Sequence, residues 1–253
     1  MRDAAFRWDA VIKVGGSLGR VKRRLPPLMR RIARLGRLRR LLIVPGGGAY
    51  ADLVRSERRR LGLQETRAHR MALLAMDQYA LALAQFCPCS RTARSIAEAR
   101  RLAASGRVPI LAVSTLVARD PGLERTFRLT SDSIAAWVAR RIGAHRLILL
   151  KSVPGLPPRP IDRRDAKRLE VLGVVDPLFP RLMPGAAEVF IVDGRRSETL
   201  LLVAGGGTRR SPERRAFQAI RRARHAATGD DRARTVRRAR RRTPRRARRP
   251  HPD

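Results

Sequence analysis

Short runs rich in Val, Ile and Leu alternate along the chain with segments whose apolar residues recur at helical spacing. The first run, DAVIKVG (9–15), ends on glycine and predicts a buried strand followed by a turn. RLPPLMRRIARLGR (24–37) places Leu28, Ile32 and Leu35 on one helical face, with prolines at its start. RRLLIVPGGGAYADLVRSERRR (39–60) repeats the theme: a strand over Leu41–Val44, a Pro-Gly-Gly-Gly turn, and a helix from near Ala49. TRAHRMALLAMDQYALALAQF (66–86) reads as a long helix, apolar on nearly every face and so expected to be buried. A third strand is predicted over 108–116, and LTSDSIAAWVARRIGA (129–144) predicts a Ser/Asp-capped helix ending at Gly143. RLILLKSVPGL (146–156) and EVFIVDGR (188–195) supply two more strands, and SETLLLVAGGGT (197–208) a helix closing on glycines. Residues 154–170 are expected to form a proline-rich connection. Strands alternating with helices imply an α/β fold with a mostly parallel sheet.

Composition changes this picture in one place, the C-terminal region. From 209 to 253 apolar periodicity fades and the chain carries 18 basic against 4 acidic residues. A helix over 213–224 is conceivable there, and the rest is expected to be disordered. A formal charge of +36 suggests nucleic acid, but Lys occurs only at 13, 22, 151 and 167, so the excess is Arg, as a GC-rich genome imposes. Aromatic content of 4% leaves little to stack on bases. Nucleic-acid contact is therefore expected only through the basic tail, and the cationic surface suits an anionic small molecule through electrostatic steering. Cys87 and Cys89, one residue apart with no nearby His, do not make a zinc site and are read as reduced thiols. No apolar run reaches the roughly 20 residues of a membrane span, and no signal-peptide order is seen at the N-terminus, so a cytoplasmic protein is expected.

The chemistry gathers at the predicted strand ends. In a parallel α/β sheet those ends share one edge, where ligands bind. Glycine turns there, KVGGS and PGGGA, let backbone amides approach phosphate oxygens, and a helix N-terminus beyond adds its positive end. Neither turn is a Walker loop, because Lys13 precedes its glycines, nor a G-x-G-x-x-G fingerprint. Lys13 sits at the end of an apolar strand, where charge is costly unless paired; it either reaches over the turn to a phosphate oxygen or snorkels to solvent. Asp132 is either a plain helix cap, beside Ser131 and Ser133, or the group that orients Lys13 and a magnesium–nucleotide complex. Asp77, the one acid within the apolar stretch of its helix, is either a hydrogen-bonded or dimer-contact residue or a contact for a substrate amine. His69 and His145, next to Arg in helical stretches, are read as structural, with His69 the one that could also face a substrate cleft.

In chain order, IKVGGS (12–17), VPGGGAYADLVR (44–55), LTSDSIAAWVA (129–139), LLKSVPGL (149–156) and GGGT (205–208) resemble the amino acid kinase family. The resemblance implies a three-layer α/β/α sandwich with a mainly parallel central sheet. It also implies ATP with Mg²⁺, a small anionic acceptor, and a homodimer or higher homo-oligomer. Residues 1–125 would bind the acceptor and 126–208 the nucleotide. Lys13 and Asp132 would be catalytic, with Gly15, Gly16, Ser17, Gly46, Gly47, Gly48, Ser131, Lys151 and Gly155 holding phosphate or nucleotide and Asp77 the substrate. No metal is expected to be held by protein side chains alone. Within the family, Pro45, the 68–83 helix, VVDPLFPRL (174–182) and VDGRRSETL (192–200) look most like the small kinases of methanofuran biosynthesis, which extend a furan phosphate to its diphosphate. Two departures stand out: SVPGL carries Ser152 and Pro154 where relatives often have acids, and no later Gly-Gly-Met-Lys segment is present, leaving Lys151 as the substitute. A uridylate or amino-acid carboxylate acceptor, or a non-catalytic oxyanion-binding member of the fold, are the alternatives.

Overall fold

The computed structural model describes residues 6–20, 23–153, 159–195 and 197–204. Among the described residues, six parallel strands form one sheet in the order β3-β4-β2-β1-β5-β6. They are β1 Ala10–Val14, β2 Leu41–Pro45, β3 Ser90–Ala93, β4 Val108–Leu111, β5 Arg146–Lys151 and β6 Glu188–Asp193. The helices are α1 Leu25–Gly36, α2 Gly48–Leu61, α3 Glu65–Gln85, α4 Ile96–Ala104, α5 Ser114–Arg119, α6 Ser131–Arg141, α7 Arg163–Val171, α8 Phe179–Leu182 and α9 Ser197–Ala204. Parallel strands need crossovers that lay helices on both faces, which gives the expected three layers. β1 is central, and its partners β2 and β5 come from the two halves of the chain, so one sheet runs through both.

Strand alternation decides which side chains meet. In β1, Ala10, Ile12 and Val14 pack on the side of α1 and α9, whereas Val11 joins the core on the side of α6. In β5, Ile148 and Leu150 take the first side and Leu147 and Leu149 the second. Lys13 has the parity of Val11, and Lys151 that of Leu147 and Leu149. Both lysines therefore belong to the α6 side, at the carboxyl edge of neighbouring strands, in a register that pairs Lys13 with Leu149.

The structure corrects several boundaries. The third predicted strand ends at Leu111, and Ser114 begins α5. The stretch 154–170 contains a helix, α7, started by a reciprocal capping box between Asp162 and Asp165. β3 and α4 are elements that the apolar pattern does not mark. α3 is not buried all round: Leu74 and Leu81 are 49% and 64% exposed. His145 lies in an exposed bend before β5, not in a helix. Cys87 and Cys89 are free thiols, and burial pushes Cys87 up to about 12, so it is no thiolate nucleophile. The glycines of 205–208 and the basic tail lie outside the described residues.

Candidate functional site

Three charged side chains meet where β1, β5 and the head of α6 converge. Lys13 Nζ lies 2.8 Å from Asp132 Oδ1, and Lys151 Nζ 2.5 Å from Asp132 Oδ2. Lys151 also donates to the Val174 carbonyl. Lys13 and Asp132 are 5% and 4% exposed, so these are buried charges, tolerated because each has a partner of opposite sign. Burial alone would raise the Asp132 pKa, but the two ammonium groups outweigh it and hold the carboxyl below its ordinary range. Burial lowers Lys151; Asp132 opposes that shift and Lys13 adds to it. Two cations share one carboxylate, which leaves an excess positive charge facing the cavity.

Asp132 is available for this role because another residue caps α6. The N-cap residue, Thr130, makes no side-chain cap bond. Instead Asp176, from the segment after α7, accepts from the Ser133 amide at 3.0 Å and from the Thr130 hydroxyl at 2.7 Å. It also accepts from the Ser133 hydroxyl and from the Leu178 amide. Among the described residues Asp176 takes its hydrogen bonds from hydroxyls and backbone amides, and burial pushes it up, with the Asp132 carboxylate adding to the rise and the Ser133 and Thr130 bonds opposing it. In the sequence only Ser131, Asp132 and Ser133 stand out as caps, since nothing local points to a residue more than forty positions away.

Above the three charges is a cavity of about 550 Å³. Its wall includes Lys13, Gly15, Gly16, Ser17, Gly47, Gly48, Ser131, Asp132 and Lys151, all expected from the sequence. The two glycine turns are in contact: a Cβ on Gly16 would fall 2.2 Å from the Gly48 nitrogen, and Gly48 itself has φ +57°. A side chain at either position would force the turns apart. Lys13 Nζ reaches over the first turn, 3.6 Å from where a Gly15 Cβ would be. Ser17 and Ser152 hydroxyls are 3.2 Å apart across the cavity.

Not every expected residue is on that wall. Gly46 is spent on the sheet, its amide donating to the Val14 carbonyl at 2.8 Å. Asp77 does not line the cavity. Its carboxylate accepts from the Ser114 amide at 3.2 Å and from the Ser114 hydroxyl, so it caps α5 and turns the chain out of β4. Gly155 lies outside the described residues. The structure adds Arg20 and Arg55, which bracket Asp52 at 2.6 Å and 2.9 Å on the α2 side of the cavity. Helical spacing from Gly48 puts Asp52 and Arg55 on one face of α2, which is the signal that could have found them. Among the described residues no group of three His, Cys, Asp or Glu side chains is placed to hold a metal ion. The two cavity acids are engaged, Asp132 by lysines and Asp52 by arginines.

Residues 10–178 match the profile of the amino acid kinase family. Over 202 residues the chain is 22% identical to the [5-(aminomethyl)furan-3-yl]methyl phosphate kinase of Methanocaldococcus jannaschii, a span covering 78% of this chain and 93% of that protein. A stretch of 118 residues is 31% identical to the acetylglutamate kinase of a Nostoc species, covering 40% of this chain and 38% of that one. In fold, the chain resembles the uridylate kinase of Archaeoglobus fulgidus, with a TM-score of 0.63 at 20% identity over 79% of this chain and 97% of that one. It also resembles the UMP kinase of Bacillus anthracis, with a TM-score of 0.59 at 16% identity over 79% and 93%. The profile match spans well over half of the sequence and includes both lysines, the carboxylate between them and the paired glycine turns: the chain belongs to the amino acid kinase family, and it is a kinase.

Proposed function

We propose that this kinase transfers the γ-phosphoryl group of ATP to a phosphate monoester, with [5-(aminomethyl)furan-3-yl]methyl phosphate as the foremost acceptor, in the assembly of a methanofuran-type one-carbon carrier. The observation that carries the transfer chemistry is the buried Lys13–Asp132–Lys151 cluster under the two glycine turns. The likeness to the furan phosphate kinase, which extends over nearly all of that protein, supports the acceptor.

In this reading the nucleotide lies on the β5 side and the acceptor on the α2–α3 side. The bond from the γ-phosphorus to ADP breaks and a bond to an acceptor phosphate oxygen forms. A phosphate monoester is already ionised at neutral pH, so no general base is required. Lys13, and Lys151 beside it, stabilise the negative charge on the group in flight, with the Gly15, Gly16, Gly47 and Gly48 turns allowing the backbone to approach it. Asp132 fixes both lysines in place before substrate arrives, so little reorganisation is left for the transition state. Arg20 and Arg55 hold the acceptor's anion. Magnesium arrives with the nucleotide phosphates, whose charge it offsets, because both cavity acids are already engaged. The exposed Leu74 and Leu81 on α3 support a homodimer through that helix.

The test is an acceptor screen. Purified protein with ATP and Mg²⁺ is expected to release ADP with the furan phosphate, with a new diphosphate signal by ³¹P NMR, and far more slowly with UMP or N-acetylglutamate. Turnover of UMP or N-acetylglutamate alone would sink the furan assignment.

A further inference from the structure

A small annex of about 80 Å³ opens beside the main cavity and shares Gly47, Ala51, Arg55, Thr130 and Ser131 with it. Leu73, Met76, Leu129 and Ile134 give it an apolar wall, and Phe127 stands at its side. The polar ring among them is His69. It is 3% exposed, and its Nε2 has no hydrogen-bond partner among the described residues. Phe127 meets the imidazole edge-on, at 6.3 Å between ring centres, and the Glu65 carboxylate fixes the Phe127 backbone by accepting its amide at 3.1 Å.

The chemistry of that nitrogen is narrow. Burial lowers the His69 pKa, against the smaller opposing effects of a backbone hydrogen bond at Leu129 and of Glu65, so the ring is neutral at pH 7. Nε2 is the ring nitrogen left without a partner, and in the neutral imidazole it can present a lone pair that accepts. A buried acceptor with nothing to accept from is costly, and such groups in native proteins call for a reason. The dimensions are narrow as well. At about 80 Å³ the annex is far smaller than the 550 Å³ main cavity, with room for one small ring and not for a nucleoside.

We propose that His69 sets acceptor specificity: Nε2 accepts a hydrogen bond from an N–H or O–H group on a single small ring seated in the annex, while the acceptor's phosphate lies at Gly47 and Arg55 in the main cavity. This rests on the phosphate-acceptor reading above and deepens it, because it requires a donor on the ring and excludes nucleotides as acceptors.

The test uses the full chain labelled with ¹⁵N-histidine, the His69 signals being assigned by their loss in His69→Gln. Two probes are compared: [5-(aminomethyl)furan-3-yl]methyl phosphate, and furan-3-ylmethyl phosphate, which lacks the amine. The Nε2 resonance is expected to move upfield with the first probe and stay in place with the second. In turnover, His69→Leu should lower kcat/KM for the first probe about 10- to 100-fold, leave the second within roughly threefold, and be partly rescued by His69→Gln, whose amide oxygen also accepts. An Nε2 signal that ignores both probes or responds equally to both overturns the proposal, as does an equal loss of turnover on both. A selective shift with no ADP released from either probe would keep the His69 contact and refute the kinase acceptor assignment instead.

Discussion

Asp132 and Asp176 are both buried at the head of α6, yet the first is held ionised and the second is pushed toward its neutral form. The desolvation they face is of the same kind, and the partners differ. Asp132 has two ammonium groups; the hydrogen bonds to Asp176 come from hydroxyls and backbone amides, and it also feels the negative charge of Asp132. Neutral donors stabilise a carboxylate but do not offset burial as full opposite charges do. One acid therefore gathers two lysine charges at the cavity, and the other organises backbone for the first.

The largest effect should come from taking a cation away from Asp132. Lys13→Ala is expected to lower kcat by about 10²- to 10³-fold or more while the protein stays folded; near-normal ADP release would remove Lys13 from the reaction. The next contrast is between the two acids. Asp132→Asn leaves the buried Lys13 and the half-buried Lys151 without their counter-charge and should cost about 3–5 kcal/mol of stability, together with most of the turnover. Asp176→Asn removes capping acceptors and should cost about 1–3 kcal/mol, with a smaller loss of kcat than Asp132→Asn.

Their pH dependences should run in opposite senses. The folded-state pKa of Asp132 is depressed, so its contribution is present above the ordinary carboxylate pKa and is lost as pH falls through the depressed value. That of Asp176 is raised, so its contribution is greatest below the ordinary pKa and declines as pH rises through the raised value. Denaturant unfolding from pH 3 to 7 should show the stability gap between wild type and Asp176→Asn narrowing as pH rises, and the gap to Asp132→Asn widening. Parallel pH curves for the two variants would contradict the contrast.

The smallest expected effect is on the alkaline side. The Lys151 pKa is lowered, so its charge is lost at a lower pH than for a free lysine, and kcat should fall there. Lys151→Arg keeps its charge at any accessible pH, and its rate profile should lose that alkaline limb even if kcat at neutrality drops a few-fold.

Much of this was legible in the sequence. Lys13, the two glycine turns and Asp132 are marked by rare residue types at strand and helix ends, and β1 and β5 by continuous apolar runs. The parity that puts Lys13 and Lys151 on one side of the sheet was also there, in the two-residue period counted from Val11 and Leu147. α4 was signalled by Ser95 and Glu98, a cap-and-first-turn pair with few apolar residues around it, and α7 by Asp162 and Asp165 within a proline-rich stretch. Asp176 and Asp77 were not legible in the same way. Each carboxylate serves a helix that is distant in sequence, and local spacing carries no information about which chain segment will arrive beside it. For Asp77 the sequence leaves a hydrogen-bonded residue, a dimer contact and a substrate contact open, because an acid in an apolar helix demands a partner; in the fold its carboxylate accepts from Ser114.

The distant capping of α6 also bears on when the lysine–carboxylate cluster comes into being. Asp176 lies 46 residues beyond Thr130, and Val174, which anchors Lys151, lies in the same segment. On the ribosome, the strand carrying Lys13, both glycine turns and the α6 segment emerge well before that segment does. Until it docks, the head of α6 lacks its cap and Lys151 lacks one of its two acceptors. The lysine–carboxylate cluster is thus fully braced only once a segment far downstream has been made and has docked, a late step in the life of the molecule.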